Sequence, residues 1–310
     1  MAAQYELTFP LVPRRRLIGL AFGAVRSVRR GMGSDVASSR PYQPGDDVDT
    51  IDWNASARLS SARGTDEFIV RERFAEEAPR VVILCDRRPE MALYPQGLPW
   101  LSKPTVMLEA GRQIADSTAK SRGLVGYLDY ANGDPEPFWR PPHSQQDFWR
   151  VKESHLLWPE YKAPKDNLTR AFHHLVAARR SLPPGSFVFV LSDFLVPPAP
   201  EMWATVLELP WEIVPVIIQD PTWEQSFPPV SSVVVPLADP RTGGVKAVRL
   251  SRREVARRKG ENEDRLASLL EELQGFGLEP LLLATTDRNE IYSRFMTWAE
   301  LRLHPAGAPF

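Results

Sequence analysis

The sequence predicts an α/β protein built on a doubly wound, mostly parallel sheet, with a β-rich N-terminal extension and an appended β-hairpin. From residue 80 onwards, short apolar runs alternate with longer segments of helical character. The runs are continuously apolar rather than alternating with polar residues, which is typical of parallel strands covered on both faces. Proline pairs and glycines stand between the segments, where turns are expected.

Five apolar runs are predicted to form the strands of the sheet, because short continuous runs bounded by turn residues are typical of buried strands. A further segment, residues 233–250, is interrupted by Asp-Pro-Arg-Thr-Gly-Gly at 239–244 and predicts the appended hairpin. The five sheet strands are predicted at residues 81–84, 124–130, 187–191, 213–218 and 281–284.

Helices are predicted between these strands. Gly123 and the Gly-Phe-Gly sequence at 275–277 are typical helix ends. Asp287 is a candidate N-cap for the last helix, since a short acidic side chain accepts hydrogen bonds from the free amides of a first turn. The predicted helices cover residues 103–122, 167–181, 198–207, 253–275 and 287–302.

The composition is that of an ordinary globular protein, with 310 residues, 43% hydrophobic and 25% charged. A net charge of -1 gives no overall attraction to nucleic acid or anionic lipid. The one cysteine, Cys85, excludes an internal disulfide, and no zinc-ligand spacing occurs among one cysteine and five histidines. The apolar run at 17–25 is too short to span a bilayer and lacks a cleavage site, so a cytoplasmic location is expected.

The N-terminal part has an uneven charge distribution. Residues 1–34 contain six arginines and one acid, whereas residues 35–53 contain five aspartates and one arginine. We expect these stretches to fold against each other or to present a bipolar face; binding of nucleic acid by the arginines is the alternative. The predicted organisation is an N-terminal extension at 1–79, an α/β domain at 80–304 and a tail at 305–310.

The densest motif of the chain lies at residues 40–58. A Pro-Gly turn at 44–45 is followed by aspartates that can bond nearby backbone amides. Asp52 and Trp53 are predicted at a strand or loop edge, with the indole buried and the carboxylate bound to an arginine. The motif is interpreted either as an ion-pair network that fixes a loop or as a recognition surface, and its candidate interaction residues are Arg40, Asp46, Asp47, Asp52, Trp53 and Arg58.

The sequences Arg-Pro-Tyr-Gln-Pro-Gly-Asp-Asp at 40–47 and Ile-Asp-Trp-Asn-Ala-Ser-Ala-Arg at 51–58 resemble the signature of the bacterial domain of unknown function family 58. Asp49 departs from it, because that position is often basic in the family. The resemblance implies a von Willebrand factor type A-like domain after the signature and work beside a MoxR-type AAA+ ATPase. It implies no catalytic activity, since none is assigned to the family.

Two acids follow predicted strands directly. Asp86 ends the run Leu84-Cys85-Asp86, and Asp193 ends the run Leu191-Ser192-Asp193. If the two strands are neighbours, these carboxylates share the carboxyl edge of the sheet, which is where open α/β sheets bind ligands. They would repel each other there unless a divalent cation or arginines lie between them.

The resemblance also implies a comparison with the type A metal-ion-dependent adhesion site, which has the motif Asp-x-Ser-x-Ser. Asp86 matches its first aspartate, and Asp193, preceded by Ser192, matches its last. The two serine positions are Arg88 and Glu90, and the threonine position falls near Asp166. A guanidinium has only donors and cannot ligate a cation, so a degenerate, metal-free site is expected. A more acidic Mg²⁺ site that uses Glu90 and Asp166 stays the alternative.

The function expected from these observations is a non-enzymatic adaptor that works with a MoxR-type AAA+ ATPase and client proteins in protein maturation or complex assembly. Its expected contact face is the edge holding Asp86, Arg88, Asp166 and Asp193, supported by residues 40–58. The competing hypothesis is a metal-dependent hydrolase in which the acidic cluster activates water. Neither a phosphate-binding glycine loop nor a Gly-x-Ser-x-Gly elbow occurs in the sequence.

Overall fold

The structure is a computed structural model that describes residues 7–13, 36–42, 51–64, 67–73, 78–93 and 100–303. By its contacts the chain divides into two compact units, Pro13–Ala78 and Met1–Val12 together with Pro79–Phe310. Asp46 and Asp47, the aspartates predicted to follow the Pro-Gly turn, lie outside the described residues, as does the predicted tail.

The smaller unit contains strand β1 (Val36–Pro41), helix α1 (Trp53–Arg63) and strand β2 (Ile69–Arg73). The two strands are antiparallel, and the backbone of Arg40 pairs with Val70. The extension was predicted to be β-rich without strand positions, and its described part contains two strands and a helix that the sequence interpretation did not include.

The prediction of a buried indole at Trp53 is wrong. Asp52 is the N-cap of α1, where its Oδ1 accepts a hydrogen bond from the amide of Ala55 at 3.1 Å. Trp53 is therefore the first helical residue, and its side chain is 59% exposed. The physical reason is local, because an aspartate before a run of alanine, serine and arginine favours helix initiation over an extended edge.

The larger unit contains a six-stranded sheet with the order β10-β7-β6-β3-β4-β5, as well as a separate two-stranded hairpin, β8–β9. All sheet pairings are parallel except that of β5, which runs antiparallel to β4 at one edge. The predicted mostly parallel sheet and hairpin are confirmed. The strands are β3 (Arg80–Cys85), β4 (Leu124–Asp129), β5 (Phe138–Arg140), β6 (Phe187–Ser192), β7 (Glu212–Ile218), β8 (Val233–Ala238), β9 (Val245–Leu250) and β10 (Leu281–Leu283).

Helices connect these strands near the predicted positions. Asp287 accepts hydrogen bonds from the amides of Asn289 and Glu290, both at 2.9 Å, as expected of an N-cap. None of the helices within the described ranges is both long and apolar enough to cross a membrane. The helices are α2 (Lys103–Lys120), α3 (Asp147–Arg150, continued by a π-helix at Val151–His155), α4 (Asn167–Ala177), α5 (Pro200–Leu207), α6 (Arg252–Gly275) and α7 (Arg288–Leu303), with 3₁₀ turns at Pro89–Ala92 and Arg179–Ser181.

One face of the sheet packs against α4, α5 and α6. Val188 of β6 lies in a buried apolar cluster with Phe172, Trp203 and Leu273, one from each of these helices. The rings of Phe172 and Trp203 are 5.4 Å apart. Successive strand residues point to opposite faces, so Phe189 must be covered from the other side.

The opposite face is covered by the chain near Phe9 and by α7. The ring of Phe9 stacks on Phe295 at 4.4 Å and meets Phe189 edge-on at 6.3 Å. The amide of Phe9 also donates to Ser117 Oγ of α2 at 3.0 Å. The sheet is thus covered on both faces, which explains why its strands are continuously apolar.

Strand β5 and helix α3 were absent from the sequence prediction. Phe138-Trp139-Arg140 is only three residues long and lies among prolines, so it shows no measurable periodicity. Its position beside β4 depends on a close approach at Gly126, where an added Cβ would lie 2.6 Å from the Arg140 carbonyl oxygen and 2.9 Å from Pro142 Cδ.

The close approach at Gly126 gives a first prediction. Gly126→Ala should lower the free energy of unfolding by about 1–3 kcal/mol, because the methyl group meets backbone that cannot yield without displacing the edge strand. Urea denaturation at equilibrium measures the change.

Gly260 provides the matched control. It lies in the interior of α6, and nothing is within 4 Å of an added Cβ. Gly260→Ala should therefore raise the free energy of unfolding by about 0.4–1 kcal/mol. A Gly126→Ala protein as stable as the wild type would contradict the close approach of β5.

Candidate functional site

The ends of β3 and β6 bring the two predicted acids together. These strands are parallel neighbours, with Cys85 paired to Leu191, and the amide of Asp86 donates to the Leu191 carbonyl at 2.9 Å. Asp86 and Asp193 follow immediately, and both are fully buried. Two buried carboxylates at one sheet edge need compensating positive charge.

Arg88 supplies the first positive charge. Its Nε lies 3.0 and 2.9 Å from the two carboxylate oxygens of Asp86, and its Nη2 lies 2.6 Å from Asp86 Oδ2. The same Nη2 donates to Asp193 Oδ1. The guanidinium therefore bridges the two carboxylates, and its side chain is 1% exposed.

Lys103, the first residue of α2, supplies the second positive charge. Its Nζ lies 2.9 Å from Asp193 Oδ2 and 2.6 Å from Glu224 Oε1. Glu224 belongs to the segment after β7, where its other carboxylate oxygen accepts from the amide of Asp220 at 2.8 Å. We call Asp86, Arg88, Lys103, Asp193 and Glu224 the rim cluster.

Neutral donors complete the hydrogen bonding of the rim cluster. Ser192 Oγ donates to Asp86 Oδ2 at 2.6 Å, and Asn167 Nδ2 donates to Asp86 Oδ1 at 3.1 Å. The amide of Leu195 donates to Asp193 Oδ1 at 2.9 Å. Each oxygen of the two aspartates thus has at least one donor, as buried charged groups require.

The electrostatics favour the ionised forms of Asp193 and Lys103. Burial alone would raise the pKa of Asp193, but attraction to Lys103 and Arg88 outweighs burial and lowers this pKa below its usual range. Burial likewise opposes the charge of Lys103, yet Asp193 and Glu224 raise its pKa above the usual lysine value. Asp193 and Lys103 are therefore held as an ion pair, whereas burial raises the pKa of Glu224 above its usual value despite the nearby Lys103.

Two of the predicted site residues have other partners. Glu90 lies in the 3₁₀ turn after Arg88 and pairs with Arg241 at 2.7 and 3.0 Å. The side chain of Asp166 is 57% exposed and pairs with Arg170 one helical turn later at 2.9 Å. Its neighbour Asn167 is the residue that contacts Asp86.

Lys103, Asn167 and Glu224 were missed by sequence reasoning. A lysine is normally exposed, so nothing in the sequence marks Lys103 as buried. The chain offered one usable signal for Glu224, because Asp220 lies two residues after the apolar run of β7 and Glu224 one turn beyond it.

The arrangement does not fit a divalent cation. Arg88 lies between the two carboxylates, and a guanidinium offers donors only. Within the described parts of the chain, no group of three or more histidine, cysteine, aspartate or glutamate side chains could hold a metal ion.

Burial shifts the pKa values of two side chains near the sheet, Cys85 and His155. Burial raises the pKa of the Cys85 thiol to about 12, so the thiolate needed for nucleophilic attack is not formed near neutral pH. Burial, with Arg140 and Arg150 nearby, lowers the pKa of His155 to about 4, and its ring packs 4.6 Å from Phe138. The side chains of Cys85 and His155 both contribute to packing.

The signature segment carries a patch of exposed aromatic rings in the smaller unit. Trp53 and Tyr42 both contact Phe68 edge-on, with centroids 6.0 and 6.5 Å apart. All three side chains are at least 37% exposed. Arg58 lies exposed on the same helix as Trp53. We call Tyr42, Trp53 and Phe68 the aromatic patch.

The fold and the rim cluster define a protein with a doubly covered α/β sheet and a buried acidic site whose carboxylates pair with Arg88 and Lys103. The family model "Protein of unknown function DUF58" matches residues 38–266, which is more than half of the chain. The chain belongs to this family. A comparison with curated proteins gives no match.

Two solved structures are similar to the chain. One is a conserved hypothetical protein BatB from Bacteroides thetaiotaomicron, with 17% identity, a TM-score of 0.40, and coverage of 72% of this chain and 99% of that chain. The other is an aerotolerance-related membrane protein from Bacteroides fragilis with multiple mutations to serines, with 15% identity, a TM-score of 0.39, and coverage of 72% and 98%. Because both TM-scores are below 0.5, the family assignment rests on the family model.

The rim cluster gives a second prediction. Arg88→Met should lower the free energy of unfolding by about 3–5 kcal/mol, because it leaves two buried carboxylates without their shared partner. Chemical denaturation at pH 7 measures the loss.

The exposed pair of Arg170 and Asp166 is the control for this measurement. Arg170→Met removes an ion pair of similar length that is largely in solvent, with side chains 44% and 57% exposed. Its effect should be no more than about 1 kcal/mol. Equal losses of unfolding free energy in the two variants would show that Arg88 stabilises the fold no more than a surface ion pair does.

Proposed function

We propose that this protein is a non-enzymatic adaptor, in which the rim cluster is a degenerate, metal-free counterpart of a von Willebrand factor type A metal site. The observation that carries the proposal is the position of Arg88, whose guanidinium occupies the space between Asp86 and Asp193. An internal cation thus takes the place in which a type A domain would hold a metal ion.

The burial of the cluster supports a structural role. Asp86 and Asp193 are fully buried, and Lys103 and Arg88 are at most 1% exposed. A general base must be within hydrogen-bond reach of the proton that it removes from a substrate. The cluster instead joins the segments after β3, β6 and β7 to the start of α2, which makes the carboxyl edge of the sheet rigid. Rigid presentation of a surface is what a binding module requires.

The resemblance to the family signature implies the partner, a MoxR-type AAA+ ATPase, together with client proteins in maturation or complex assembly. An ATP-driven partner would place the chain in the cytoplasm. Because the rim cluster is buried, we propose that the aromatic patch makes the contact. Exposed tryptophan, tyrosine and arginine side chains are the residues most enriched in interface hot spots.

The proposed metal-free state gives a third prediction. Titration calorimetry of the wild-type protein with Mg²⁺ should show no binding up to millimolar concentrations. Arg88→Ser should gain Mg²⁺ binding, seen as an increase in melting temperature with added Mg²⁺, because the substitution removes the guanidinium from between the two carboxylates and adds a hydroxyl ligand.

The same titration can reject the proposal. Micromolar Mg²⁺ binding by the wild type that disappears in Asp86→Ala would mean that a cation, and not Arg88, completes the site. An Arg88→Ser protein that melts at the same temperature with and without Mg²⁺ would mean that Arg88 does not occupy a former cation position.

The proposed partner gives a fourth prediction. The immobilised protein should bind a MoxR-type AAA+ ATPase from the same organism in the presence of a non-hydrolysable ATP analogue. Trp53→Ala should weaken this binding by about tenfold or more, the loss expected for an interface anchor. Biolayer interferometry gives the dissociation constants.

Trp149 is the matched control, since its side chain is 61% exposed against 59% for Trp53. Trp149→Ala should leave binding within about twofold of the wild type. Absence of binding in every nucleotide state would refute the adaptor role with this class of ATPase. Equal losses in both variants would refute the assignment of the contact to the aromatic patch.

A further inference from the structure

Among the residues that the structure describes, the hairpin formed by β8 and β9 has no third strand. Its six residue pairs run from Val233 with Leu250 to Ala238 with Val245. One face is exposed and largely apolar, with Val234 at 64% and Val245 at 67% exposure. An isolated two-stranded hairpin is marginally stable, and a third strand paired along one edge, or packing against a helix, normally stabilises it.

The two edges of the hairpin differ in what they offer to another strand. Asp239 donates its amide to the Gly244 carbonyl at 2.8 Å, so the pair 239–244 is hydrogen-bonded. Hydrogen-bonded and non-hydrogen-bonded pairs alternate in antiparallel ladders. Pro236 and Ala247 therefore form a non-hydrogen-bonded pair, and the backbone groups of both residues point outwards.

Pro236 consequently blocks the outer edge of β8, because it has no amide hydrogen to donate. The outer edge of β9 has no proline, and its outward groups belong to Val245, Ala247 and Arg249. None of these three residues has a further backbone hydrogen bond within the described residues. The edge of β9 is thus open to a strand.

The surface around β9 is strongly basic. Exposed cations are present along β9 and in the first turn of α6, and none of them forms an ion pair with a described residue. Cations at a helix N-terminus oppose the helix dipole, at a cost of about 0.3–1 kcal/mol each, so their presence calls for an anionic partner. These residues are Lys246, Arg249, Arg252 and Arg253.

We propose that the outer edge of β9 binds an extended acidic segment of a partner protein by strand addition. In an antiparallel arrangement, the segment would place an acidic residue beside Arg249 and apolar residues beside Ala247 and Val245. Further acidic residues on its N-terminal side would reach Arg252 and Arg253. The recognised sequence is a short acidic stretch followed by alternating β-branched residues.

A polypeptide fits this surface better than a nucleic acid does. Nucleic acid would satisfy the cations, but it cannot complete the alternating donors and acceptors of a strand edge. The apolar face formed by Val234 and Val245 also matches a strand with apolar side chains at alternate positions.

This inference deepens the proposed adaptor role and rests on it for its biological meaning, since the bound segment would belong to a client. Peptide binding is measured without any ATPase. A failure of strand addition and a failure of the ATPase partnership are therefore seen separately.

The test uses the full chain and a fluorescein-labelled peptide of four glutamates followed by Val-Thr-Val-Thr-Val. Fluorescence anisotropy should show saturable binding that weakens as salt increases. Ala247→Pro should weaken binding by about tenfold or more, because it removes an outward donor from the β9 edge without touching the hairpin ladder. Single-stranded oligothymidylate of equal charge is the competing probe.

The matched control is Ala238→Pro, which makes the same change at an outward position of the already blocked β8 edge. It should leave peptide binding within about twofold of the wild type. Arg249→Glu should weaken binding of the glutamate peptide and strengthen binding of the corresponding lysine peptide, a gain that misfolding cannot produce. Equal losses in the two proline variants, no peptide binding, or tighter binding of oligothymidylate than of the peptide would each overturn the proposal.

Discussion

The carboxyl edge of the sheet depends on one guanidinium placed between two buried carboxylates. Parallel pairing of β3 and β6 forces Asp86 and Asp193 to the same edge, and neither reaches solvent. Without Arg88 the two charges would repel each other in a medium of low dielectric constant. The turn after β3, which brings Arg88 back over Asp86 within two residues, is therefore the constraint that allows the strands to be neighbours.

A second buried arginine plays a comparable part at the opposite end of the sheet. Arg302 of α7 lies 3.3 Å from Glu212, the first residue of β7, and 2.9 Å from the carbonyl oxygen of Val12. It also pairs with Glu279, just before β10. Ion pairs of this kind contribute modest net stability but are costly to break, so they favour one register over its alternatives. Arg302 thus fixes the amino ends of β7 and β10, whereas the rim cluster fixes the carboxyl ends of β3 and β6.

The sequence was sufficient to predict features that have a local signal, and insufficient to predict contacts between residues that are distant along the chain. Continuous apolar runs located the strands, and the acids directly after them located Asp86 and Asp193. The buried contact of Lys103 with Glu224 joins residues 121 positions apart, and no local pattern encodes such a contact. The sequence prediction named Asp166 as the site residue, whereas its neighbour Asn167 contacts Asp86. The Asp166 carboxylate, at the start of the helix, pairs with Arg170 instead. At Trp53 the sequence does contain a local signal, because Asp52 is a helix-capping residue, but the sequence prediction placed Trp53 at an extended edge.

The distribution of cations separates a structural interior from a recognition surface. In the interior, Arg88 and Lys103 are each shared between two acids, which leaves no positive charge for a ligand. On the hairpin and the first turn of α6, cations occur in solvent without ion-pair partners among the described residues, in a position that the helix dipole disfavours. The buried ion pairs serve the stability of the fold, and the exposed basic edge is the surface to which the strand-addition proposal assigns binding.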